Sequence, residues 1–159
     1  SSVKRSNLAG VEFIATETTE QMFNEVKKTT KQADALIMAA AVSDFKFKDV
    51  KKDKIKDKNK DMSVNLVPNP DIIASVDKNI IKVAFAAETK DLKKYAEKKL
   101  SSKNAHFIVA NDVSDSNIGF NSDNNKVMII SDTGKVVNLP IMPKIEVSHA
   151  ILNSLKEYF

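Results

Sequence analysis

Asp34-Ala35-Leu36-Ile37-Met38-Ala39-Ala40-Ala41-Val42-Ser43-Asp44 is an apolar run that ends in small residues and a carboxylate. Directly after it, from Lys46 to Lys60, stand eight lysines and three aspartates, a net of +5. The first stretch predicts a buried strand whose small terminal residues let a ligand approach the backbone. In open α/β sheets, ligands sit beyond the carboxyl ends of the strands. The second stretch holds the whole positive excess of the chain, whose total is only +4. A strand-end crevice beside a focused positive segment points to an anionic small molecule, with phosphates as the expected anion.

Working outward, Thr18 and Gln21 match a capping box and predict a helix with Met22, Phe23, Val26 and Ala33 on its apolar face. Val11-Glu12-Phe13-Ile14-Ala15 before it reads as a short strand, so a β-α-β unit is expected. Residues 45–61 are charged and without period. They read either as a solvated loop or as a flap that closes over an anionic substrate, and the two are compatible. Met62, Val64 and Leu66 alternate with polar residues, which predicts an edge strand.

Asn69-Pro70-Asp71 then combines an N-cap, a first-position proline and a first-turn acid, so a helix is expected to start there. Ile80–Phe85 predicts another buried strand, which runs into Ala86-Ala87-Glu88-Thr89, with Thr89 as the cap of the next helix. Leu92, Tyr95, Ala96 and Leu100 form that helix's stripe, and Lys99 and Lys103 share a neighbouring face. His106–Ala110 is a third strand, ending in Asn111-Asp112. Three strand ends of this kind predict a shared crevice. Residues 126–130 and 136–139 flank Asp132-Thr133-Gly134, a hairpin signal. A last helix is expected from Pro143 or Lys144, with Val147, Ile151, Leu152 and Leu155 apolar. The predicted fold class is α/β: three layers, a largely parallel sheet and an appended β-hairpin.

Composition narrows the function. With 159 residues, 42% apolar and 29% charged, the chain can build one ordinary globular core. It has no cysteine, which removes disulfides and thiolate chemistry. No apolar run reaches the roughly 20 residues of a membrane span. Arg5 is the single arginine, and the basic segment carries few aromatics, so nucleic acid is not the expected partner. Glycines stand only at 10, 119 and 134, so no GxGxxG or Walker-type turn exists. His106 and His149 are far apart and predict no metal site. Lysines and aspartates remain as the chemical residues. Lysine neutralises charge on phosphate oxygens, whereas Asp44 suits ribose hydroxyls, a base amine or Mg2+.

Six stretches in order resemble the phosphopantothenate–cysteine ligase family of coenzyme A synthesis. They are residues 39–45, Lys54-Ile55-Lys56, residues 69–73, Phe85-Ala86-Ala87-Glu88-Thr89, residues 110–113 and Gly119-Phe120-Asn121-Ser122-Asp123-Asn124. The resemblance implies a Rossmann-like fold, a cytoplasmic homodimer, and ligation of 4'-phosphopantothenate to L-cysteine through an acyl-cytidylate made from CTP with Mg2+. ATP serves eukaryotic relatives. It implies Lys54 as the catalytic flap lysine. It implies nucleotide contacts at Met38, Ala39, Ala40, Asp44, Lys54, Pro70, Asp71, Ile72, Ile73, Phe85, Lys99 and Lys103.

Two departures stand out. Asp57 occupies the place of a further flap lysine. The family's N-terminal section, with its glycine-rich turn and an essential asparagine, is not in this sequence. Residues 1–159 are therefore expected to be a C-terminal ligase portion with a flap at 45–61. Its parent would often carry a flavin-dependent decarboxylase domain. The alternative expectation is a non-catalytic nucleotide-binding or dimerisation portion of such an enzyme.

Overall fold

A computed structural model describes residues 9–49, 61–77, 79–88, 91–113 and 122–159. The chain order is α1 (Thr19–Thr29), a short 3-10 turn (Thr30–Gln32), β1 (Ala35–Met38), β2 (Phe45–Phe47), β3 (Leu66–Pro68), β4 (Ile81–Glu88), α2 (Leu92–Ser102), β5 (Phe107–Asp112), β6 (Asn124–Ser131), β7 (Val136–Pro143), α3 (Lys144–Leu155) and a closing 3-10 turn (Lys156–Tyr158). Five strands form one sheet in the order β1-β4-β5-β6-β7. β1, β4 and β5 are parallel, and β6 and β7 continue the sheet as an antiparallel hairpin. Four of the five strands thus point the same way. β2 and β3 make a separate two-stranded antiparallel sheet.

Alternation of side chains along the strands divides the core in two. On one face Val83, Phe107, Val109, Val127 and Ile129 pack against Val147, Ile151 and Leu155 of α3. On the other, Ala84, Ala86, Ile108, Ala110 and Ile130 pack against Ala96 and Leu100 of α2, and against Ile73. The central strands are buried on both faces, which is why their sequences read as continuous apolar runs. The three-layer α/β architecture expected from the sequence is present.

Several local expectations hold for stated reasons. Thr18 caps α1 in a complete capping box with Gln21. The hairpin turns at Gly134, whose φ of +85° suits glycine. α3 begins at Lys144, and Val147, Ile151 and Leu155 recur every fourth residue on its buried face. Leu152 is rotated off that face and is half exposed.

Others are corrected. Val11–Ala15 forms no strand, and Val11, Phe13 and Ile14 are exposed, so no β-α-β unit starts there. A strand exists only when a neighbour takes its hydrogen bonds, and among the described residues β1 pairs with β4 alone. With nothing from 11–15 beside it, α1 keeps its apolar face half-buried at best. The predicted edge strand shrinks to Leu66–Pro68, leaving Met62 and Val64 outside it and exposed. Phe45–Phe47, read as the start of the flap, is instead strand β2. Residues 50–60 lie outside the described residues, and so does Thr89. Asp91 stands at the N-cap of α2, with φ +47° and no side-chain cap bond.

Candidate functional site

A cavity of about 640 Å³ opens on the α2 side of the sheet. That volume lies inside the ~300–1,000 Å³ range of small-molecule sites. The segment leaving β1 supplies Met38, Ala40 and Ser43-Asp44 to one wall. Asn69, Pro70, Asp71, Ile72 and Ile73 form a second wall, and Ala84 through Ala87 of β4 form the floor. Lys99, Ser102 and Lys103 close the far side from the last turn of α2. Small floor side chains are what leave the volume open, since Ala84 and Ala86 are themselves buried in the core beneath.

Each wall has a local cause. α2 stops because Asn104 takes a left-handed conformation, with φ +49°. The Asn104 N–H then donates to the Ser101 carbonyl, and the Ala105 N–H to that of Leu100, the bonding pattern of a Schellman end. This leaves Lys103 at the C-cap, where the helix dipole favours a cation. Its Nζ lies 2.6 Å from Asp71 Oδ2 across the cavity mouth.

The predicted helix at 69–71 is a single turn. The Ser75 N–H donates to the Asp71 carbonyl and the Ala74 N–H to Asp71 Oδ1, at 3.1 Å each. Asp71, not Asn69, is therefore the capping residue. Ile72, Ile73 and Val76 are all buried, which anchors the turn. Asp77 then accepts from the Asn79 N–H, and this local bond competes with further helix.

Asn69 has other partners. Its backbone N–H donates to the Asp44 carbonyl at 2.8 Å, and its side-chain Nδ2 to the Ser43 carbonyl at 2.9 Å. These bonds join the wall after β1 to the wall after β3. The motif reading gave Asn69 only a capping role, and no local signal announces partners 26 residues away.

The structure brings together Met38, Ala40, Asp44, Pro70, Asp71, Ile72, Ile73, Phe85, Lys99 and Lys103 around the cavity. Ala39 is exposed and is not among the lining residues. Lys54 falls outside the described residues. The third strand end does not join the crevice: β5 contributes Ile108 rather than Asn111 and Asp112. Those two side chains turn to β6, where Asn125 Nδ2 donates to Asn111 Oδ1 at 3.1 Å and Lys126 pairs with Asp112 at 3.0 Å. Antiparallel β6 lies alongside that end and takes up its polar groups.

One buried charge escaped the sequence reading. Lys82, inside a run that reads as apolar, is fully buried, and its Nζ donates to the Val76 carbonyl at 3.3 Å. Its backbone N–H donates to Nδ1 of His106, whose ring meets that of Tyr158 edge-on. Among the described residues, no three His, Cys, Asp or Glu side chains cluster to hold a metal ion. Among the same residues, no helix is long and apolar enough to cross a membrane.

Comparison with known proteins places the chain in a family. Residues 1–158 match the family model described as the DNA/pantothenate metabolism flavoprotein C-terminal domain. The chain is 37% identical over 161 residues to the coenzyme A biosynthesis bifunctional protein CoaBC of Vibrio parahaemolyticus, covering 98% of this chain and 40% of that protein. It is 40% identical over 147 residues to the CoaBC of Bacillus subtilis, covering 91% of this chain and 36% of that protein. The chain thus spans well under half the length of these curated relatives. Among solved structures, the C-terminal domain of a CoaBC protein is similar with a TM-score of 0.72 and 30% identity, over 91% of this chain and 64% of that one. With residues 1–158 matched to its model, the chain belongs to the DNA/pantothenate metabolism flavoprotein C-terminal domain family.

Proposed function

We propose that the polypeptide carrying this chain is a ligase of coenzyme A biosynthesis. It joins 4'-phosphopantothenate to L-cysteine through an acyl-cytidylate formed from CTP. The observation that carries this reading is the convergence of Asp44, the Pro70–Ile73 turn, Phe85, Lys99 and Lys103 on one cavity of small-molecule size. Membership of the family supports the reaction class.

In the first step a carboxylate oxygen of phosphopantothenate attacks the α-phosphorus of CTP. The bond from that phosphorus to the bridging oxygen breaks, and pyrophosphate leaves. In the second step the cysteine amine attacks the acyl carbon, the bond to the cytidylate oxygen breaks, CMP leaves and the nitrogen loses a proton. Charge accumulates on phosphate oxygens in the first step, and lysines are the groups that stabilise it. Lys103 and Lys99 reach the cavity from α2, and Lys54 is proposed to come from the flap. Asp44 is exposed on the opposite wall. It accepts hydrogen bonds from ribose hydroxyls or the base amine.

Mg2+ fits this donor set only as the companion of the triphosphate. The cavity offers carboxylate oxygens at Asp44 and Asp71, and Mg2+ is commonly held by one or two carboxylates plus substrate phosphates. When bound, it neutralises phosphate charge.

A cytoplasmic homodimer completes the proposal, together with a flavin-dependent decarboxylase in the parent. Dimerisation is supported by the β2–β3 hairpin, where Phe45, Phe47 and Leu66 are more than half exposed. An isolated two-stranded sheet is marginally stable in water. Sedimentation of wild type against a Phe47→Asp variant tests this: a shift to monomer is expected, and an unchanged dimer places the contact elsewhere. For the reaction, the complete polypeptide is assayed for CMP release. Release that requires both phosphopantothenate and cysteine is expected. CMP formation indifferent to cysteine, or none with any nucleoside triphosphate, overturns the reading.

A further inference from the structure

We propose that Asn69 is a positioning residue of this nucleotide site. It holds the Ser43–Asp44 backbone against the Pro70–Ile73 turn, so that the Asp44 carboxylate is presented at a fixed place on the wall. The inference rests on the nucleotide reading above.

Three observations carry it. First, Asn69 engages two consecutive carbonyls, donating from its N–H to Asp44 and from Nδ2 to Ser43. Second, these bonds carry the contact between the two stretches of chain one step beyond the β2–β3 ladder, past its Phe45–Pro68 pair and into the two walls of one cavity. Third, Oδ1 of Asn69 is buried and has no hydrogen-bond donor among the described residues. A buried acceptor without a donor opposes folding. The side chain therefore keeps its orientation at a cost, because only an amide N–H can face the Ser43 carbonyl.

Residues 39–44 lie outside any strand or helix. The Val42 N–H donates to the Ala40 carbonyl within the segment, and the Ser43 hydroxyl donates to the Phe45 carbonyl of β2. Asn69 ties Ser43 and Asp44 to the opposite wall, alongside the Phe45–Pro68 strand pair.

The proposal separates stability from binding. Replacing Asn69 by leucine keeps the volume, removes the orphaned acceptor and deletes the Nδ2 donor. A merely structural asparagine loses stability and binding together. A positioning asparagine loses binding alone.

The experiment uses the complete polypeptide with Asn69→Leu and Asn69→Ala. It reads CTP affinity by calorimetry, melting temperature, and amide hydrogen exchange at residues 42–45. About tenfold weaker CTP binding in both variants is expected, with faster exchange at 42–45 and a melting temperature in Asn69→Leu equal to wild type or higher. Unchanged exchange at 42–45 overturns the proposal, and so does wild-type affinity in Asn69→Leu. If wild type itself takes no CTP, the nucleotide reading fails, and the exchange measurement alone decides whether Asn69 holds this segment.

Discussion

Lys103 and Asp71 are paired across the cavity mouth, with Nζ 2.6 Å from Oδ2, although 32 residues separate them. The same carboxylate uses Oδ1 to cap the Ala74 N–H. A cation lining the cavity is thus held by a carboxylate of the opposite wall, and the phosphate chain of the proposed nucleotide would compete for it. Both side chains are about a third or more exposed, so the pair is a weak one.

Asp71→Asn is near-isosteric and retains an oxygen for the cap. It is expected to release Lys103 and to tighten CTP binding several-fold, the scale of an exposed ion pair worth up to about 1 kcal/mol. Lys103→Ala is expected to weaken binding about tenfold, with a smaller salt dependence. Calorimetry at two salt concentrations checks both. Weaker binding in Asp71→Asn would show instead that the carboxylate contacts the ligand.

Lys54→Ala is expected to lower the rate of CMP formation by about 100-fold, the scale of losing one charge-stabilising group at a reacting phosphate. Rapid-quench measurement of pyrophosphate release isolates this step from the later attack by cysteine. A rate equal to wild type would remove Lys54 from the activation chemistry.

Tyr158 donates its hydroxyl to Asp132 and sets its ring edge-on to Phe107. Burial, followed by the hydrogen bond and charge of Asp132, pushes its pKa up to about 12 from the usual 10. The folded state therefore keeps its proton where the unfolded chain loses it. This contribution is fully present below pH 10, and it declines as the pH rises from about 10 to about 12. Tyr158→Phe is expected to flatten that decline relative to wild type. Denaturant unfolding of both proteins across this window reads the difference; identical slopes would mean that the phenol does not carry it.

Ile130 is almost fully buried between the sheet and α2. Ile130→Ala is expected to cost about 2–5 kcal/mol of unfolding free energy, from lost transfer and the cavity left behind. Urea titration measures it. A loss below about 1 kcal/mol would mean that the α2 face collapses to fill the space.

Much of the cavity was legible because its parts are local words. The run from Asp34 to Asp44, the Asn69–Ile73 stretch and the small residues after Ile81 each announce a strand end or a turn. Their order matches the family. The Asn111-Asp112 end does not line the cavity. A motif names a neighbourhood, while the pairing of β5 with β6 decides which side chains face the cavity.

Sequence alone determined the elements whose causes lie within a few residues. These are the Thr18–Gln21 capping box, the Asp132–Gly134 turn, the apolar residues at every fourth position on α3, and the apolar runs of β4 and β5. Only tertiary structure decided that residues 11–15 form no strand, that Lys82 is buried against the Val76 carbonyl, that Lys103 meets Asp71, and that Asn69 ties down Ser43 and Asp44. Helix caps and turns close hydrogen bonds between near neighbours, so the local sequence contains both partners. Strand pairing, charge burial and a side-chain tie across a cavity need partners tens of residues away, and only the folded chain brings them within bonding distance.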